Sequence, residues 1–122
     1  MIYTVGYKGK TLQQVVNIMD AHKIDVLVDV RSLPRSKYKE FNRAVLEWRL
    51  KQRYRWEGDR LGGLERVRSP FYEEGLEWIR NANMAGKNVL VMCMEEDPDK
   101  CHRKKWIATD LERMFGLKVE HL

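Results

Sequence analysis

Val26-Leu27-Val28-Asp29-Val30 is a short apolar run with one carboxylate near its end. A run without polar alternation is typical of a strand that is covered on both faces, and Pro34 prevents this one from continuing. Asn88–Cys93 contains a second run of the same kind. Strands buried on both faces occur in parallel sheets that carry helices on each side, so the two runs indicate an α/β fold.

Strand and helix signals alternate along the rest of the chain. Thr11 starts the first helix, because Thr11 and Gln14 form a capping box ahead of an apolar face. Further strands are predicted at Met1–Val5, Tyr54–Trp56 and Leu117–His121. The other predicted elements are a helix from about Asn42 to Gln52 capped by Asn42, a loop from Gly58 to Arg68, a helix from Ser69-Pro70 to near Gly86, and a helix from about His102 to Phe115 that ends at Gly116.

This order predicts a single α/β domain over residues 1–122. The expected architecture is a three-layer α/β/α sandwich with a mostly parallel sheet, Rossmann-like or doubly wound. In such sheets the loops that leave the carboxyl ends of the strands share one edge, and ligands bind there. Three loops are expected at that edge: Gly6–Lys10, Arg31–Ser36 and Met94–His102.

Composition excludes several classes of protein. The 122 residues are 43% hydrophobic, enough for one core, and no apolar run approaches the roughly 18 residues of a membrane span. The first residues lack the features of a signal peptide, and two cysteines do not make a disulfide framework. We therefore expect a cytoplasmic protein without membrane contact. The sequence indicates no cofactor and leaves the oligomeric state open.

An acid and two arginines lie where the first buried strand ends. Arg31 and Arg35 suit phosphate or carboxylate groups, because a guanidinium donates two parallel hydrogen bonds. Asp29 needs a partner, since an unpaired buried carboxylate is costly. These residues predict an anion-binding site. The alternative is that Asp29 pairs with Arg31 or with main-chain N–H groups and only fixes the loop.

The segment Cys93–Arg103 is the most unusual part of the sequence. Cys101 and His102 open the last helix, where the helix dipole stabilises a thiolate, and Arg103 adds positive charge. His102 is suited to exchange protons near neutral pH. Cys101 is thus either a reactive thiol or a packing residue, whereas Cys93 ends a buried strand and is predicted to be structural. Two cysteines and one histidine fall short of a four-ligand zinc site, so no metal is expected.

Four motifs resemble the family named domain of unknown function 488, whose members are bacterial and archaeal proteins. They follow in order along nearly the whole chain. The motifs are Thr4-Val5-Gly6-Tyr7, Val28-Asp29-Val30-Arg31-Ser32 with Pro34-Arg35, Leu61-Gly62-Gly63, and Cys93-x-Glu95-x-x-Pro98-x-x-Cys101-His102-Arg103. The resemblance implies a compact three-layer α/β domain with a site made from these motifs. It implies no particular reaction.

Three functions are consistent with these residues. The first is a binding or enzymatic site for a phosphorylated or nucleotide-like ligand. In that site Arg31 and Arg35 hold the anion, Tyr7 stacks or donates, Asp29 or Glu95 transfers protons, and Cys101, His102 and Arg103 complete the edge. The second is a nucleic-acid-binding module that uses the basic, aromatic stretch Arg31–Arg68, unless Trp48 and Tyr54 are core residues. The third is thiol or redox chemistry at Cys93 and Cys101, including a reversible disulfide.

Overall fold

Five parallel strands form one sheet in the computed structural model, which describes residues 1–63, 67–95, 97 and 101–122. Residues 102–104 are described by their backbone alone. The strands are β1 (Ile2–Gly6), β2 (Val26–Asp29), β3 (Tyr54–Trp56), β4 (Val89–Cys93) and β5 (Val119–His121). The helices are α1 (Leu12–Ala21), α2 (Arg43–Leu50), α3 (Gly58–Leu61), α4 (Tyr72–Met84) and α5 (His102–Phe115). Within the described ranges no helix is long and apolar enough to cross a membrane.

The strand order is β3-β2-β4-β1-β5, and every neighbouring pair is parallel. The predicted α/β fold, with a mostly parallel sheet between two helical layers, is confirmed. The three central strands lie side by side, so that Val28 of β2 is opposite Val91 of β4, which is opposite Thr4 of β1. Because these strands run in the same direction, the loops that follow them leave from one edge of the sheet.

The helices divide between the two faces of the sheet according to the direction of each connection. α1 and α2 lead towards the β3 edge and pack on the face that carries Leu27 and Leu90. α4 and α5 lead towards the β5 edge and pack on the opposite face, against Val28 and Val91. Right-handed crossovers produce this arrangement. The connections after β2 and β4 therefore diverge, and the crevice between their carboxyl ends is where such sheets bind ligands.

The helix predicted from Asn42 to Gln52 is shorter in the structure. α2 ends at Leu50, because Lys51 adopts a positive φ of 55° and a three-ten turn over Lys51–Arg53 follows. Asn42 does precede the helix, but its side chain caps no helical N–H group. Its Oδ1 instead accepts a hydrogen bond from the main-chain N of Ser36 at 2.7 Å. The side chain thus fixes the loop after β2 rather than the helix.

Two further boundaries differ from the prediction, and one is confirmed. The predicted loop from Gly58 to Arg68 contains α3, a single turn too short for any periodicity to announce it. α4 starts at Tyr72 and not at Ser69-Pro70, because the Ser69 hydroxyl accepts from Phe71 N in a turn ahead of the helix. The capping box of α1 is present as predicted, with both reciprocal hydrogen bonds at Thr11.

Candidate functional site

Main-chain hydrogen bonds join the three loops that were predicted to share one edge. Tyr7 N, after β1, donates to Cys93 O at the end of β4 over 3.0 Å. On the other side of β4, Val30 N donates to Met92 O over 3.2 Å. The end of β4 thus lies between the loops that follow β1 and β2, as predicted from the fold class.

The Asp29 carboxylate at the end of β2 is buried and accepts four hydrogen bonds. Oδ1 accepts from the main-chain N of Arg31 at 3.1 Å and from its Nε at 2.8 Å. Oδ2 accepts from Nη2 of Arg31 at 2.7 Å and from the Tyr54 hydroxyl at 2.6 Å. A carboxylate has about four acceptor positions, so its capacity is filled. This pairing is the arrangement in which Asp29 fixes the loop, and proton transfer by Asp29 stays a prediction.

Arg31 is only 3% exposed and lies between Asp29 and Tyr7. Its Nη1 donates to the Tyr7 hydroxyl at 3.4 Å, and the guanidinium carbon lies 5.3 Å from the centre of the Tyr7 ring. The ring also stacks on Phe41 at 4.3 Å. Burial alone would lower the pKa of Arg31, but the hydrogen bonds and charge of Asp29 outweigh it and raise the pKa. Ligand contacts of Arg31 and Tyr7 stay predictions.

Tyr54 and Trp56 also belong to the site, although the sequence did not connect them with Asp29. Both come from β3, which pairs with β2 so that Leu27 is opposite Tyr54 and Asp29 is opposite Trp56. Burial raises the pKa of Tyr54, and the charge of Asp29 raises it further, so the phenol stays a hydrogen-bond donor. Trp56 Nε1 donates to Arg31 O at 2.8 Å. These residues reach Asp29 because β3 lies next to β2 in the sheet, and the sequence does not reveal that strand order.

A cavity of about 390 Å³ opens beside the loop that follows β2. Ser32 lines it from that loop, Trp56 from the end of β3, and Arg68 from the segment that leads to α4. The remaining lining residues are Gly58, Asp59, Gly62, Val67, Ser69 and Pro70. A cavity of this size is in the range that small-molecule sites occupy. The cavity lies at the carboxyl edge of the sheet, beside the ends of β2 and β3 and not in the crevice between β2 and β4.

Glu57 anchors one wall of this cavity between β3 and α3. Its main-chain N donates to Asp29 O at 2.9 Å, and its buried carboxylate accepts from Arg55 and Arg60. Burial would raise the pKa of Glu57, but the hydrogen bonds from Arg60 and Arg55 outweigh that effect and lower it. Glu57 therefore stays ionised in the fold and fixes the start of α3.

Arg68 also takes part in a cluster of polar residues that sequence reasoning missed. Its Nη2 lies 3.3 Å from a carboxylate oxygen of Asp110, and its guanidinium covers the rings of Tyr72 and Trp106 at 4.8 and 5.0 Å. Asp110 is buried and also accepts from Arg113 at 3.0 Å and from the Tyr72 hydroxyl at 2.8 Å. The cluster holds Arg68 in place while 44% of its side chain remains exposed.

The two cysteines lie side by side on the face covered by α4 and α5. Sγ of Cys93, the last residue of β4, is 3.0 Å from Sγ of Cys101, which directly precedes α5. Both are thiols, and their residues are 0% and 3% exposed. Cys93 Sγ also donates to Glu95 O at 3.7 Å. The predicted burial of Cys93 is confirmed, and the structure brings Cys101 to it, which the spacing in the sequence could not indicate.

Of the other predicted site residues, Glu95 joins these contacts through its main chain, and the described contacts do not include the side chain of Arg35. Arg35 is exposed, and its side chain has no partner within the described ranges. Glu95 is half-buried and contacts Cys93 through its carbonyl oxygen. His102 and Arg103 lie in the first turn of α5, but their side chains are outside the part that the structure describes. In that part no three His, Cys, Asp or Glu side chains come together to hold a metal ion.

The basic stretch Arg31–Arg68 runs from the loop after β2 to the cavity, and Arg66 lies outside the described residues. Several of its charges are paired, as in the contact of Arg43 with Glu47. Trp48 is 72% exposed, so the alternative in which it is a core residue is wrong. Its position on α2 explains this, because Leu46 and Leu50 face the sheet and Trp48 lies on the opposite side of the helix.

The family model described as domain of unknown function DUF488 matches residues 11–84. These residues make up more than half of the chain and run from α1 to the end of α4. Asp29, Arg31, Ser32 and Arg68 lie inside the match, whereas the two cysteines lie beyond it. Neither a curated protein nor a solved structure matches the chain significantly.

Proposed function

Because this chain belongs to the family of domain of unknown function DUF488, whose description carries no reaction, we propose its function from the site itself. The protein binds a small phosphorylated or nucleotide-like ligand at the carboxyl edge of its sheet, in the cavity between Ser32, Trp56 and Arg68. The observation that carries this proposal is the cavity of about 390 Å³, whose wall includes Arg68. Arg68 is ion-paired with Asp110, and about half of its side chain is exposed.

The chemistry of the cavity wall favours an oxyanion. Arg68 supplies a planar fork that matches phosphate, and its contacts with Asp110, Tyr72 and Trp106 orient it before a ligand arrives. Ser32 and Ser69 line the same cavity with hydroxyl groups, which donate to phosphate oxygens. An arginine that is already ordered loses little conformational freedom on binding, so this arrangement supports affinity for an anion.

Within this proposal the arginines after β2 have different roles. Arg31 holds the loop through Asp29, since three of its five N–H groups donate to Asp29 and Tyr7, and it is not among the residues that line the cavity. Arg35 is exposed and is available as a second cation. The basic surplus of the chain, which has 23 lysines and arginines against 18 acids, adds a general attraction for anions.

Titration of the isotope-labelled full chain with adenosine 5′-monophosphate, ribose 5-phosphate and inorganic phosphate tests the proposal by NMR. We expect saturable shifts of the main-chain amides of Ser32, Gly62 and Ser69, which line the cavity. If none of the three probes shifts these amides at millimolar concentration, the proposal is wrong.

Arg68→Ala is expected to weaken the binding of the tightest-binding probe roughly 10- to 100-fold, because a hydrogen bond to a charged group contributes about 1.5–3 kcal/mol. The matched control is Arg113→Ala. Arg113 pairs with the same Asp110 carboxylate but does not line the cavity. Equal losses in both variants would assign the effect to the Asp110 cluster and not to ligand contact.

A second candidate function, binding of single-stranded nucleic acid, is favoured by Trp48. Its exposed ring is next to Lys51, whose Nζ lies 4.9 Å from the ring centre, and a base can stack on such a surface. For this function we expect salt-dependent binding of oligothymidylate in fluorescence anisotropy, weakened about tenfold by Trp48→Ala. Phe71→Ala, which removes an exposed ring outside the basic stretch, is the control. Binding that is insensitive to salt or to Trp48→Ala would exclude this function.

A further inference from the structure

Cys93 and Cys101 are eight residues apart, and the fold brings their sulfur atoms to 3.0 Å. Cys93 follows Val89 and Val91 on the face of β4 that α5 covers. Cys101 directly precedes α5 and Cys93 is the last residue of β4, so the contact joins the start of the helix to the end of the strand. A disulfide needs a sulfur–sulfur distance of about 2.05 Å, so the two sulfur atoms must approach by about 1 Å to form the bond.

We propose that Cys93 and Cys101 form a reversible intramolecular disulfide, a two-electron redox site that takes a small hydroperoxide as oxidant and a dithiol as reductant. This site is separate from the cavity beside Ser32, and it does not depend on the ligand proposed above. It also lies beyond the residues that match the family model.

The position of Cys101 suits it to react first. Its carbonyl oxygen accepts from Lys105 N at 2.9 Å, so Cys101 occupies the amino-terminal boundary of α5. The positive end of a helix dipole stabilises a thiolate, which is the nucleophilic form of cysteine. Cys93 ends a strand in the middle of the sheet and lacks such a dipole. It is therefore the residue that resolves the oxidised form of Cys101.

The reaction balances in two steps. The Cys101 thiolate attacks one oxygen of the hydroperoxide, the O–O bond breaks, and the other oxygen leaves as an alcohol, or as water from hydrogen peroxide, after taking up a proton. Cys101 is then a sulfenic acid. Cys93 sulfur attacks Cys101 sulfur, the S–O bond breaks, and the hydroxyl group leaves as water with the proton of the Cys93 thiol. A dithiol reduces the disulfide between Cys93 and Cys101 to two thiols by thiol–disulfide exchange, and the dithiol itself becomes a cyclic disulfide.

Burial defines the class of oxidant. At 0% and 3% exposure the two residues are open only to a small molecule. Hydrogen peroxide meets this condition, and a branched hydroperoxide such as tert-butyl hydroperoxide does not. We therefore expect hydrogen peroxide to form the disulfide at least about tenfold faster than tert-butyl hydroperoxide at equal concentration.

Oxidation also has a route to the loop after β1. The disulfide closes a ring over residues 93–101, and within that ring Met94 O accepts a hydrogen bond from Lys8 N at 2.9 Å. Cys93 O accepts in the same way from Tyr7 N at 3.0 Å. The amide resonances of Tyr7 and Lys8 are therefore expected to shift when the disulfide forms, and to return when it is reduced.

The test uses the full reduced chain, exposed to a small excess of hydrogen peroxide, blocked with an alkylating reagent and analysed by mass spectrometry. The expected product has lost two hydrogen atoms and yields one cross-linked peptide pair that contains Cys93 and Cys101. Dithiothreitol restores the original mass. The proposal is overturned if the main products are sulfinic acids, dimers between chains or unmodified thiols.

Single variants provide the second measurement. With Cys93→Ser, Cys101 is expected to stop at the sulfenic acid, which a dimedone-type reagent captures, and the cross-link is lost. With Cys101→Ser, Cys93 is expected to react with peroxide at least about tenfold more slowly, since it lacks the helix dipole. If Cys93 reacts faster than Cys101, the assigned order of attack is wrong, and the wild-type cross-link still decides the disulfide itself.

Discussion

Asp29→Asn is expected to lower the free energy of unfolding by about 3–5 kcal/mol, because it leaves the charge of Arg31 buried without a counter-charge. Arg31 is 3% exposed and stays protonated, so it cannot escape by losing a proton. The substitution preserves the shape of the side chain. It replaces one carboxylate oxygen by an NH₂ group. In the wild-type protein Oδ2 accepts hydrogen bonds from Arg31 Nη2 and from the Tyr54 hydroxyl. Urea denaturation at neutral pH measures the loss.

The matched control is Asp20→Asn. Asp20 also pairs with an arginine, Arg53, over 3.2 Å, but the side chains of Arg53 and Asp20 are 37% and 63% exposed. Exposed pairs contribute at most about 1 kcal/mol, so this variant is expected to unfold almost like the wild type. A similarly small loss for Asp29→Asn would contradict the structural role of the buried pair. It would also mean that Arg31 has other partners available, as an anion-holding arginine needs.

A double variant separates the pair from the space that it fills. Asp29→Leu together with Arg31→Met removes both charges and keeps much of the volume. We expect it to be more stable than Asp29→Leu alone, because no charge is then left buried without a partner. Tyr54 loses its acceptor in both variants, so its contribution cancels in the comparison. If the double variant is the less stable of the two, the ion pair is not the source of the cost.

The strands and the site edge could be predicted because their signals are local. Each of the two buried strands is a continuous apolar run, and Pro34 marks where one of them stops. Thr11 and Gln14 announce the start of α1 through a capping box that needs only four residues. Parallel strands then place the following loops on one edge, whatever the strand order.

The contacts of Asp29 could not be predicted in full, because they depend on strand order. Its pairing with Arg31 was among the alternatives, since Arg31 is only two residues away. The Tyr54 hydroxyl, 25 residues away, reaches Asp29 because β3 pairs with β2. The same limit applies to Cys101, whose distance from Cys93 depends on where α5 begins relative to β4. Trp48 is different, because helical periodicity with Leu46 and Leu50 would have placed it outside.

Gly58→Ala is expected to lower the free energy of unfolding by about 3 kcal/mol or more and to weaken ligand binding in the cavity. A Cβ at this position would lie 1.8 Å from Arg31 O and 2.3 Å from Trp56 Nε1. These two atoms are hydrogen-bonded to each other at 2.8 Å, so neither can move without disturbing the other. The loop after β2, which carries Ser32 into the cavity, must then shift.

The effect of the steric clash on the free energy of unfolding can be distinguished from the effect of replacing a glycine as such. Gly58 does not adopt a positive φ, and in a helix alanine is favoured over glycine by about 1 kcal/mol, so backbone freedom alone predicts a gain. Gly116→Ala is the opposite control, because its φ is +65° and nothing lies within 4 Å of its Cβ, so only backbone strain of about 1 kcal/mol is expected. Chemical denaturation and phosphate titration of both variants decide the matter. If Gly58→Ala is no less stable than Gly116→Ala, the close approach of α3 to Arg31 does not hold the loop, and the cavity loses its support at that wall.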